Sequence, residues 1–328
     1  MSDDVRPAQP TDSVSRVPGE WEREVLEKLV FASLKEQRAK RRWTIFFRLV
    51  MLAIVAMIVL SVSGVLFGGS GSAPGPHTAL IDVEGVIDAG GEASAEKINA
   101  ALQAAFDEDA VKGVVLRINS PGGSPVQAGM IYDEIRRLRR QYPDKPVYAV
   151  VEEICASGGY YVAAAADKIF VNQASVVGSI GVIMEGFGFT GLMEKLGVER
   201  RLVVSGENKA LLDPFSPRNP AQQAHAQALV DEIYKQFVAA VREGRGERLH
   251  ETPDMFTGLI WTGAKSVELG LADELGTVDS VARDVIKADA VVDYTVRENF
   301  AERVAKRVGV AFGAGLAKTG LSRLWHWR

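Results

Sequence analysis

One cysteine, Cys155, is the only thiol in 328 residues. A single thiol excludes an internal disulfide framework, and the absence of any CxxC or Cys/His spacing gives no sign of a structural zinc site. Histidine is nearly as scarce, with four in the chain. An excess of one charge is lacking too: 38 Lys and Arg against 42 Asp and Glu leave a net charge of −4, which carries no mark of a nucleic-acid partner. Bulk charge therefore says nothing about such a partner, and no nucleic acid is among the partners expected. A hydrophobic share of 47% suffices for one large or two medium globular domains.

Long uncharged apolar runs are also missing, with one exception. "LVMLAIVAMIVLSVSGVLF", Leu49 to Phe67, is 19 residues without a charge, close to the roughly 20 helical residues that cross a bilayer. Lys35, Arg38, Lys40, Arg41, Arg42 and Arg48 precede it, and no Lys or Arg follows until Lys97. This asymmetry predicts a single-pass helix with a cytoplasmic N-terminus and the larger C-terminal part outside. An apolar stretch starting nearly fifty residues in fits an uncleaved anchor better than a cleaved signal peptide.

The expected organisation is then a cytoplasmic segment over 1–42, polar at first and an amphipathic helix from Trp21 to Arg42, and a transmembrane helix over 43–68. A Gly/Ser/Pro linker over 69–77 leads into a domain over 78–296. A basic amphipathic tail over 297–328, ending in Trp325 and Trp327, suits a membrane surface, a neighbouring subunit or neither. From residue 78 strand and helix patterns alternate on short loops, which predicts an α/β domain with a mostly parallel sheet. "SVVGSIGVIM" and "RRLVVS" both read as strands, and the segment from Asn219 to Gly246 as a long helix.

Ser157, in "CASGGYYVAAAAD", lies between small residues ahead of an alanine-rich helix pattern, which fits either a nucleophile or a packing serine. A His-based triad is disfavoured. His77 lies in the linker, His225 on the long helix, His250 after a polar turn and His326 in the tail, none in a loop ending a sheet strand. A lysine amine can replace histidine as base when it is desolvated, since burial disfavours the ammonium form. Lys112, Lys145 and Lys195 stand beside turns where a solvated charge is the natural reading. Lys209, in "SGENKALLDPFSP", has Ala210, Leu211 and Leu212 beside it, but spacing alone does not make it catalytic. "NSPGGSP", at the end of a predicted buried strand, offers glycine amides able to approach a substrate closely. Arg117, Glu152 and Glu153 suit structural pairing or solvation better than catalysis.

Taken in order, "LRINSPGGSP", "ASGGYYVAAAADKI", "VVGSIGVIMEG", "SGENKALLDPFSP" and "TGAKSVELGLADELG" resemble the signal peptide peptidase A family, membrane-anchored serine proteases of the S49 group. The resemblance covers roughly residues 78–285, one copy of the protease unit, and departs from the family pattern at Cys155 and at the charged "VEEI". It implies the fold of caseinolytic protease (ClpP) and crotonase, a spiral of strand-strand-helix units. It further implies Ser157 as nucleophile, Lys209 as general base, Ser179 as the residue orienting the lysine, and the amides of Gly123 and Gly158 as oxyanion donors. No cofactor or metal is implied. Partners would be signal peptides and similar apolar peptides, the bacterial inner membrane, and further copies in a ring where one site draws its serine and lysine from neighbours. The catalytic domain would be extracytoplasmic. Two rivals remain: a catalytically inactive scaffold of the same fold, and an acyl-CoA enzyme of the crotonase type.

Overall fold

The computed structural model describes residues 19–62 and 75–297; residues 1–18, most of the linker and the basic tail from 298 onward lie outside them. The described part of the first compact unit is one uninterrupted helix, α1 (Glu20–Val62). No break separates the amphipathic stretch from the apolar one, so the expected boundary at 42/43 falls mid-helix. Every side chain from Lys40 to Met57 is exposed, the apolar ones included. Among the described residues no helix is long and apolar enough to cross a membrane. The predicted span runs on to Phe67, beyond the described residues.

The second unit is built on a sheet of β1 (His77–Glu84), β2 (Val111–Ser120), β3 (Val147–Ala156), β4 (Lys168–Val171), β5 (Val176–Gly178), β6 (Ile260–Thr262), β7 (Glu274–Leu275) and β8 (Val291–Asp293). The path runs β6-β5-β3-β2-β1-β8, with β4 and β7 branching from β3. All pairs are parallel except β5 with β6. The central strands are almost continuously apolar because both faces are covered. One face packs against α2 (Ala95–Asp107), α3 (Pro125–Gln141), α4 (Gly158–Ala163) and α6 (Pro220–Arg245), which contribute Ile98, Leu102, Ile131, Ile135, Leu138, Tyr160 and Val241 to a common core, while the short α5 (Thr190–Leu196) buries no residue. The other buries Leu80, Val115, Val150 and Phe170 under Val281.

The charged "VEEI" has a structural explanation. Ile118 pairs with Val151, but two residues later Ser120 pairs with Cys155, so β3 carries two extra residues there. This bulge exposes Glu152 and Glu153 and divides the strand. Tyr148 to Val150 pair with β4, and Ile154 to Ala156 with β5. The Ser175 hydroxyl, buried at the β4–β5 turn, donates to the Glu152 carbonyl at 2.5 Å and pins the bulge.

Three expectations change. His77 opens β1 rather than ending the linker; it is fully buried, with Nδ1 2.8 Å from the Gly75 carbonyl and Nε2 3.0 Å from the Tyr294 hydroxyl. Lys145 is no solvated charge: it donates to the carbonyls of Ala105, Phe106 and Glu108, capping the C-terminus of α2, and burial lowers its pKa. "RRLVVS" forms no strand, and only Val176–Gly178 of "SVVGSIGVIM" does. β-branched residues suit a pleated surface, but a strand also needs a neighbouring edge, and within this chain Val203 is 95% exposed.

Candidate active site

Ser157 is the single residue between the end of β3 and the start of α4. Its backbone has φ 51° and ψ −123°, a left-handed conformation that non-glycine residues rarely adopt. The turn is held from both sides: the Ser157 amide donates to the Gly178 carbonyl at 2.9 Å, and its carbonyl accepts from the Tyr161 amide at 3.0 Å. The residue is half-buried and lines a cavity of ≈ 100 Å³ together with Gly123, Gly158, Tyr161, Val182, Ile233 and Phe237. Tyr161 and Phe237 stack at 4.9 Å to form one wall.

The glycine loop after β2 closes over this turn. At Gly122, with φ +104°, a Cβ would lie 2.7 Å from the Ser157 Cβ; at Gly123, with φ +151°, one would lie 2.2 Å from the Ile87 carbonyl oxygen. Both positions admit only glycine. A Cβ on Gly158 would lie 3.2 Å from the Gly123 nitrogen, so the two glycines are neighbours beside the serine. Among the described residues neither the Gly123 nor the Gly158 amide donates a hydrogen bond. Two free amides beside a half-exposed hydroxyl can stabilise the oxyanion of an acyl-transfer intermediate.

The other expected residues lie elsewhere. Ser179, one residue beyond β5, has φ 51° and donates its amide to the Leu259 carbonyl at 2.7 Å; it does not line the cavity. Lys209 is exposed on the turn that follows 198–204, its amide bonded to the Gly206 carbonyl, and it does not line the cavity either. Ser157, Gly123 and Gly158 therefore converge within one chain, whereas Lys209 does not join them at the cavity. Arg117 makes a bidentate pair with Asp82 at 2.8 and 2.9 Å and lies 3.7 Å from Glu152, a structural role as expected. Cys155 is fully buried, and burial pushes its thiol pKa up, so it is not a competing nucleophile.

A family model described as peptidase family S49 matches residues 139–292, and one described as Clp protease matches residues 80–177. A putative protease of Methanocaldococcus jannaschii is 32% identical over 225 residues, which are 66% of this chain and 71% of that protein. The chain belongs to peptidase family S49. Its S49 domain is an α/β fold of the Clp protease type. A putative signal peptide peptidase of Enterococcus faecium is 34% identical over 226 residues, 66% of this chain and 65% of the relative. A Na(+)/H(+) antiporter of Brucella abortus is 41% identical over 209 residues, 62% of this chain but only 28% of that protein. The S49 chain thus spans little more than a quarter of the antiporter's length.

Sequence reasoning missed Ser120 and Ile87. Ser120 stood inside the quoted "NSPGGSP", but its contact with Gly85 depends on how β1 and β2 are registered, which no local pattern reports.

Proposed function

We propose that this S49 protein is a membrane-anchored Ser-Lys endopeptidase that degrades signal peptides and other apolar peptides outside the bacterial inner membrane. The observation that carries the reading is the strained Ser157 turn facing two undonated amides beside an apolar cavity. The Ser157 oxygen bonds to the scissile carbonyl carbon, the carbonyl electron pair moves onto oxygen, and the hydroxyl proton passes to the Lys209 amine. The intermediate, held by the Gly123 and Gly158 amides, expels the leaving amine, which takes the proton back from Lys209. Water then hydrolyses the acyl ester. Ser179 orients the lysine amine.

Lys209 reaches the serine of a neighbouring copy in this reading. Its exposure supports that arrangement, and so does the apolar surface from Ile183 to Phe215, where Ile183, Phe187 and Val203 are each at least 80% exposed. The apolar side chains displayed around α1 from Trp43 to Met57 support the anchor. The test is turnover of an apolar fluorogenic peptide by the full chain and by Ser157→Ala and Lys209→Ala between about pH 6 and 10. Both variants should be inactive while the wild type turns the peptide over. Activity surviving either substitution would remove the dyad.

A further inference from the structure

The Gly123 amide can serve the serine only if it faces it, and its direction is set from the side away from the cavity. Ile87, fully buried just after β1, donates its amide to the Gly122 carbonyl at 2.9 Å and accepts from the Ser124 amide at 2.8 Å. In a trans peptide the carbonyl and the following N–H point in opposite directions. The Gly122 carbonyl is turned toward Ile87, so the Gly123 N–H is turned away from it, to the side where Gly158 lies.

What holds the segment carrying Ile87 in place is a buried hydroxyl. Ser120, fully buried at the end of β2, donates to the Gly85 carbonyl at 2.6 Å and accepts from the Gly122 amide at 3.2 Å. One side chain thus ties the turn after β1 to the glycine loop, two residues from Ile87 and one from Gly123. We infer that Ser120 is a positioning residue for the oxyanion site, acting through Gly85, Ile87 and Gly122 to aim the Gly123 amide at Ser157. The inference rests on the serine-protease reading above and names a part of it that touches no substrate.

The test compares the full chain with Ser120→Ala, which removes the hydroxyl, and Ser120→Cys, which fills the same place with a much weaker hydrogen-bonding group. The expected result for both is a fall in kcat/KM of roughly 10- to 100-fold carried by kcat, with KM little changed. A peptide aldehyde, which forms a tetrahedral adduct at the serine, should lose affinity by the same factor. The corresponding peptide alcohol, which forms none, should bind as before. If Ser120→Ala fails to fold, Ser120→Cys decides. Wild-type kcat in Ser120→Cys, or a loss confined to KM, overturns the role of the hydroxyl. A Ser157→Ala chain that still turns over substrate overturns the underlying reading instead, so the two failures are distinguishable.

Discussion

Gly122 and Ser157 approach so closely that a Cβ added to the glycine would lie 2.7 Å from the serine Cβ, 2.8 Å from the Gly158 nitrogen and 2.9 Å from the Ala156 carbonyl oxygen. The glycine loop and the serine turn therefore form one rigid unit, and the smallest substitution between them displaces one or the other. Gly122→Ala should cost about 1–3 kcal/mol of stability from overpacking and the positive φ. It should also lower turnover by about 100-fold or more, since a displacement near 1 Å suffices for that. Thermal unfolding and peptide turnover measured together check this; a variant with wild-type rate would mean that the loop is not part of the site.

Strain at the serine itself makes a second prediction. With φ 51° and ψ −123°, Ser157 holds a conformation that suits glycine and costs other residues about 1–3 kcal/mol. Ser157→Gly and Ser157→Ala should both be inactive, but the glycine variant should unfold about 2–4 °C higher than the alanine variant, because only glycine relieves the strain. Equal unfolding temperatures would show that the turn stores no strain.

Ser157 and its neighbour Gly123 also mark how far the sequence can be read. Both stand in short local strings where small residues meet a strand end, so the strings can be read locally, although alone they fit packing as well as a nucleophile and an oxyanion donor, roles that only the resemblance supplies. The alternating strands and helices were legible for the same reason: period and turn residues are local properties. What depends on distant partners was not. Ser120 looks like any serine until β1 is laid beside β2. His77 reads as linker until Tyr294 packs against it with ring centres 5.9 Å apart. "VEEI" reads as an anomaly until β3 is seen to serve two neighbours. The antiparallel β6 escaped because three residues carry too little pattern, whereas "RRLVVS" had the composition of a strand but joins no edge among the described residues.

The C-terminal end of α6 gives a pH prediction. Arg245, 1% exposed, donates to Asp273 at 2.8 Å and to the Gly270 carbonyl, while Asp273 also accepts from the Ile169 amide and from Arg248. Burial alone would raise the Asp273 pKa, but the hydrogen bond and charge of Arg245, with the Ile169 amide and Arg248, hold it below the ordinary carboxylate value. A depressed folded-state pKa contributes stability that is present above the unfolded value of about 3.9 and is lost as pH falls through the folded value. Asp273→Asn should cost about 3–5 kcal/mol near neutral pH, because it leaves a buried guanidinium uncompensated. The gap between wild type and variant in unfolding temperature should narrow below about pH 4. A gap that stays constant down to pH 3 would mean that the carboxylate's ionisation is not what stabilises this corner.

The position of Lys209 makes the last prediction. Within one chain the lysine is exposed and does not line the cavity at Ser157, and in the proposed reading it meets the serine of a second copy. In a ring of head-to-tail interfaces each site would draw its serine from one copy and its lysine from the next. Ser157→Ala retains Lys209, and Lys209→Ala retains Ser157, so wherever a Lys209→Ala chain offers its serine to the lysine of a Ser157→Ala chain the site is whole. Mixing the two inactive variants in equal amounts, under conditions that let copies exchange, should restore about a quarter of wild-type activity, the share of such interfaces in a randomly mixed ring. Each variant treated alone in the same way should stay inactive. A mixture that exchanges copies, followed by two fluorescent labels, yet gains no activity would place serine and lysine in the same chain and remove the shared site.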